Sequence, residues 1–115
     1  MAKKDMTPIK ADFNEITKVT LEAATTAANG MGFKLPASDE YVVILVENTD
    51  ASTSGTISVK APTNGGYAAA TSDLSATLAA GDKAIIRLES ARYADNLGNI
   101  LLVPSATSIK ACVIY

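Results

Sequence analysis

The most apolar run of the chain, residues 41–47, reads Tyr-Val-Val-Ile-Leu-Val-Glu and ends at the turn cluster Asn48-Thr49-Asp50. It is short and rich in β-branched residues, which marks a buried strand rather than a helix. After a loop at residues 50–55, residues 56–61 alternate polar and apolar strictly, with Ile57, Val59 and Ala61 on one side. That period of two is the pattern of a half-buried strand. Residues 73–78 alternate in the same way, residues 79–82 carry a Gly-Asp turn, and the apolar run 83–89 follows. The spacing predicts a hairpin. Residues 100–103 form another apolar stretch that stops at Pro104, and residues 108–115 resume as a strand. In this last strand Ile109, Ala111 and Val113 share one face, and Cys112 and Ile114 share the other.

Nearer the N-terminus the pattern is looser. Residues 15–21 alternate approximately through Ile16, Val19 and Leu21 and predict a strand, and residues 21–28 have room for a helical turn or two. Residues 1–13 are polar, contain Pro8, and predict an extended or disordered arm whose loss leaves the domain folded. Residues 62–72 form a long glycine-bearing loop of the kind that is mobile or in contact with something. The expected fold is therefore all-β: a single antiparallel β-sandwich or barrel of about 6–8 short strands spanning residues 14–115, preceded by the arm 1–13. Val43, Leu45, Ile57, Val59, Leu74, Leu78, Ile86, Leu88, Ile109 and Val113 are its expected core.

Composition narrows the chemistry. The 115 residues include no His, no Trp and one Cys. The usual proton shuttle at neutral pH, a Cys/His zinc set and an intramolecular disulfide are therefore all excluded. Ten basic residues spread along a chain of net charge −2 do not make the basic face of a nucleic-acid binder. No apolar run approaches the roughly 18 residues that span a bilayer, and the opening MAKKDMTPIKAD lacks a signal peptide's apolar stretch. Neither a membrane nor a nucleic-acid partner is expected, nor is Sec export.

Candidate reactive groups reduce to structural ones. Hydroxyls abound, but no base stands near them in a G-x-S-x-G or S-x-x-K spacing. Cys112 lies inside an expected strand, where a reduced cysteine acts as a small apolar residue. Asp39-Glu40 precede a strand, and adjacent carboxylates diverge there. Residues 95–99 (Asp-Asn-Leu-Gly-Asn) open like a calcium loop, but Ala106 stands where the twelfth ligand should be. A turn with Gly98 at positive φ accounts for the same residues. Asn64-Gly65-Gly66 lacks the lysine of a phosphate loop. No catalytic residue, cofactor or metal is expected.

From Gly32 onward the order of features resembles a group of small structural proteins of tailed bacteriophages, encoded among the head genes near the major capsid protein. The resemblance spans roughly the last 80 residues. It is carried by Asn48 after the first core strand, by Leu74, Leu78, Ala80 and Gly81 before an apolar strand, and by Arg92, Tyr93, Asp95 and Gly98 in a following turn. It implies a non-catalytic virion protein, a capsid decoration (cement) protein on the outer surface of the shell, made in the host bacterial cytoplasm. The implied partners are the major capsid protein and further copies of the chain, as a homotrimer. An extended arm can add a strand to a neighbour or lie in its groove. Lys3, Lys4, Pro8, Ile9, Phe13, Tyr67, Arg92 and Tyr93 are the residues expected at such contacts. Two other roles remain open: a head–tail connector or tail-tube subunit, and a glycan-binding module that would depend on loop 62–72 and Tyr67.

Overall fold

A computed structural model describes residues 3–35, 42–65 and 69–115. Its strands among the described residues are β1 (Lys4–Asp5), β2 (Glu22–Ala23), β3 (Met31–Lys34), β4 (Val42–Asn48), β5 (Gly55–Val59), β6 (Leu74–Leu78), β7 (Lys83–Leu88), β8 (Asn99–Pro104) and β9 (Ile109–Ile114). One 3-10 turn, Ala27–Asn29, and one short helix, Ser90–Tyr93, complete the regular structure. The strands form a five-stranded sheet ordered β1-β3-β8-β5-β6 and a four-stranded sheet ordered β2-β9-β4-β7. Every ladder is antiparallel except β1 with β3. The all-β antiparallel sandwich expected from the alternation is the fold that forms.

The connections alternate between the sheets. Only β5 and β6 are both consecutive in sequence and paired; every other step along the chain crosses to the opposite sheet. Apolar side chains from both inner faces meet between the layers. Met31, Phe33, Ile57, Val59, Ile100 and Leu102 come from the first sheet; Val42, Ile44, Val46, Leu88, Ile109, Ala111 and Val113 come from the second. A large aliphatic side chain removed from water in this way contributes roughly 1.5–3 kcal/mol, which is what holds a disulfide-free sandwich of this size together.

Several expectations change. In β4 the inward set is Val42, Ile44, Val46 and Asn48, and Val43 and Leu45 are half-buried on the outer face. Both sets are apolar up to Val46, so alternation alone could not choose between them. Residues 73–78 and 83–89 are not a hairpin. β6 pairs with β5 in one sheet and β7 with β4 in the other, so the turn at residues 79–82 bridges the layers. Leu74 is exposed at the free edge of β6, and Ile86 is half-buried against the core. Residues 15–21 form no strand; pairing begins only at Glu22, whose partner is Ala111. Of the helical room at residues 21–28, only the 3-10 turn is used.

The start of the chain lies against its own domain. Lys4 and Asp5 extend the first sheet beside Met31 and Gly32, and Met6 is 5% exposed within the core. Further on, the Ile9 N–H donates to the Val113 carbonyl at 2.8 Å and Ile9 accepts from the Tyr115 N–H at 3.0 Å. Loss of residues 1–13 would therefore remove an edge strand and a core side chain as well as an arm.

Candidate interaction surfaces

Two regions of the surface gather residues with something to offer a partner. The first is built by the loops at one end of the sandwich. Asp73 closes the long loop: its carboxylate takes the Lys60 ammonium at 2.8 Å and the Ala61 N–H at 2.8 Å. The loop is then fastened to the segment after β7. The Ala70 N–H donates to the Arg92 carbonyl at 2.7 Å, the Asn96 N–H to the Asn64 carbonyl at 2.7 Å, and Gly65 bridges Asp95. Between them lies a groove of about 320 Å³ whose lining includes Lys3, Lys60, Pro62, Tyr93, Asp95 and Asn99.

The charged groups of this groove are already engaged. The Lys3 ammonium meets Asp5 at 2.9 Å. Asp95 Oδ1 accepts the N–H groups of Leu97 and Asn99, both at 2.9 Å, and Gly98 turns the chain there at φ 83°. The turn expected at residues 95–99 is thus present. Partial burial pushes the Asp95 carboxyl up, but the N–H donors of Asn99, Leu97 and Gly98 outweigh it and hold the group below its ordinary value. Among the described residues no group of three or more His, Cys, Asp or Glu is placed to hold a metal ion. The groove can bind through its walls. Cys112 is buried, and burial pushes its thiol up, away from the reactive thiolate.

Two further aspartates share the Asp95 pattern of control by hydrogen bonds. Asp50 is lowered by the N–H groups of Ser52 and Thr53, and Asp73 by Lys60 and the Ala61 N–H. A carboxyl whose pKa is depressed by folding stabilises the fold above its unfolded value, 3.8 here, and loses that contribution as pH falls through the folded value. Thermal unfolding recorded from pH 6 downward is expected to hold level to about pH 4 and then decline. A curve that stays flat to about pH 2 would show that these turns contribute nothing to stability.

The second region is apolar. Residue Phe13 and residue Ile16 are each 96% exposed. They stand on a segment that follows the Ala11 N–H bond to the Tyr115 carbonyl and precedes β2, with Asn14 at φ 61° between them. On the outer face of the four-stranded sheet, Leu21, Leu45 and Ile85 line a groove of about 580 Å³ together with the oppositely charged pair Glu47 and Lys83. Ile85 is 69% exposed, and it also lines a smaller opening beside Leu74 and Ile57, where β6 and β7 leave the two sheets unpaired along one side.

The residues expected at contacts are thus divided. Lys3 and Tyr93 share the polar groove, with Arg92 exposed beside it. Lys4 pairs with Glu22 at 3.6 Å, and Ile9 is tied to β9. Pro8 is half-buried, while Phe13 projects into solvent. Tyr67 lies outside the described residues, as do Asp39, Glu40 and Gly66. Ile16, Leu74 and Ile85 are not among the expected contacts: Ile16 falls in the expected strand 15–21, Leu74 in the expected core, and Ile85 in a strand apolar on both sides. No family model matches the chain, and no curated protein or solved structure matches it.

Proposed function

We propose that this chain is a non-catalytic structural protein of a virion: a capsid decoration protein that binds and stabilises the assembled lattice of the major capsid protein, as a homotrimer on the outer surface. The observation that carries this reading is the pair of large apolar side chains Leu74 and Ile85, left exposed beside one opening on a small sandwich with few charges. Apolar side chains clustered on a surface mark sites of association. The resemblance across the last 80 residues supplies the kind of partner. Its motif residues serve the fold: Asn48 and Gly81 lock the turn between β6 and β7, and Asp95 and Gly98 build the turn before β8.

The test is the copy number of the chain in purified virions, measured by quantitative mass spectrometry against the major capsid protein with heads and tails separated. Hundreds of copies in the head fraction are expected. Six or twelve copies would move the chain to a ring at the portal or tail, and absence from the particle would remove the virion reading.

A further inference from the structure

We propose that copies of this chain join edge to edge through β6, which pairs antiparallel with β6 of a second copy across a two-fold axis at Ala76. Among the described residues the outermost strands of the two sheets are β1, β6, β2 and β7, and three of these edges are blunted. The strands β1 and β2 are two residues long and charged at Lys4, Asp5 and Glu22, and β7 carries Lys83 and Arg87. Short strands and charged side chains are how sheet edges are kept from pairing with other chains. The exception is β6. Its five residues, Leu-Ser-Ala-Thr-Leu, include no charge and no proline, and all but Leu78 are exposed.

The backbone along that edge is unpaired. In β5 the Thr56 carbonyl accepts the Ser105 N–H at 2.9 Å, and just past its end the Lys60 N–H donates to the Leu101 carbonyl at 2.9 Å, so Thr56, Ser58 and Lys60 turn toward β8. Ile57 and Val59 therefore bond to β6, through their partners Ala76 and Leu74. The alternation leaves the N–H and C=O groups of Ser75 and Thr77 on the free side, where no backbone group among the described residues meets them. The strand's own symmetry identifies the occupant. Turned about Ala76, it sets Ser75 against Thr77 of the second copy and Thr77 against Ser75, each pair able to exchange both N–H···O bonds. The same register places hydroxyl beside hydroxyl on the outer face, a pairing that stabilises a ladder. On the inner face it places Leu74, 42% exposed, opposite Leu78 of the second copy. The contact uses the same surface on both copies and closes on itself. It is separate from the trimer of the virion reading and does not rest on it.

The test uses the full chain. Ala76→Cys puts a thiol from each copy on the axis, at a non-hydrogen-bonded pair whose Cα atoms stand about 4.5 Å apart, within reach of a disulfide. In Ser75→Cys and Thr77→Cys the equivalent thiols are offset along the strands by about 7 Å, and the native Cys112 is buried. Under mild oxidation Ala76→Cys is expected to give a linked dimer on a non-reducing gel at least about tenfold faster than either control. Ser75→Lys with Thr77→Lys sets like charges opposite each other in the same register. Residues 75–77 are exposed, so the variants should melt close to the wild type. In sedimentation equilibrium up to about 200 μM the wild type is expected to associate, and the lysine variant at least about tenfold more weakly. Mixing it with Ser75→Glu, Thr77→Glu is expected to restore association. A monomeric wild type, cross-linking of Ala76→Cys no faster than the controls, or a lysine variant that associates as tightly as the wild type would overturn the inference. Hundreds of copies in the head fraction alongside any of those results would sink this inference and leave the virion reading standing.

Discussion

An Asn48→Asp variant is expected to lose about 3–5 kcal/mol of stability at neutral pH, the cost of leaving a buried charge without a partner. Asn48 is 1% exposed and is the one buried polar side chain among the described residues. Its amide Nδ2 donates to the carbonyls of Thr53, Leu78 and Ala79 at 3.0, 3.1 and 3.4 Å, and its Oδ1 accepts the Asp50 N–H at 3.1 Å. Its backbone takes the Gly81 N–H at 3.0 Å and donates to Asp82 at 2.9 Å. One side chain thus fastens the end of β4 to the turn that carries the chain between sheets. A carboxylate is the same size but has no donor, so it would face those carbonyl oxygens with a negative charge. Its folded pKa would be raised, and the sign of the pH effect follows. The variant should be most stable below the unfolded value near 3.9 and should lose ground as pH rises through the raised folded value. Urea unfolding of both proteins at pH 7 and pH 4 checks this; equal losses at both values would mean that charge is not the cause.

A Gly30→Ala variant is expected to lose about 3 kcal/mol or more, against a total of 5–15 kcal/mol for a typical domain. Gly30 sits at φ 72° and ψ −167°, a region that side chains other than glycine's essentially do not enter. A methyl group there would also stand 2.4 Å from the Leu102 carbonyl oxygen, a backbone atom in the neighbouring strand that cannot move without disturbing the β3–β8 ladder. Gly81→Ala is the control. Its φ is 79°, but nothing lies within 4 Å of the added carbon, so about 1 kcal/mol of backbone strain is all that is expected. Similar losses at the two positions would show that the contact with Leu102 is relieved at little cost.

These two residues also mark how far the sequence could be read. Asn48 was visible as a turn residue after an apolar run, and its burial was not. A side chain with two donors and an acceptor is stable inside only if a separate part of the chain brings carbonyls to it, here Leu78 and Ala79, thirty residues away. Gly30 gave no signal at all, because its conformation is set by where β8 passes. The apolar surface followed the same division. Phe13 is an expected contact residue, whereas the exposure of Ile16 follows only from the lack of a strand partner for residues 15–21.

What the chain determined by itself is local: where strands form, through the alternation at residues 56–61, 73–78 and 108–115, and where they turn, through Gly81 and Gly98. Tertiary structure decided which sheet each strand joins and which face of β4 turns inward. Period-two patterning distinguishes two faces only when they differ in polarity, and in β4 both are apolar as far as Val46. Pairing is likewise decided by which edges are free when the layers close, so β6 and β7, joined by a tight turn, part company into opposite sheets.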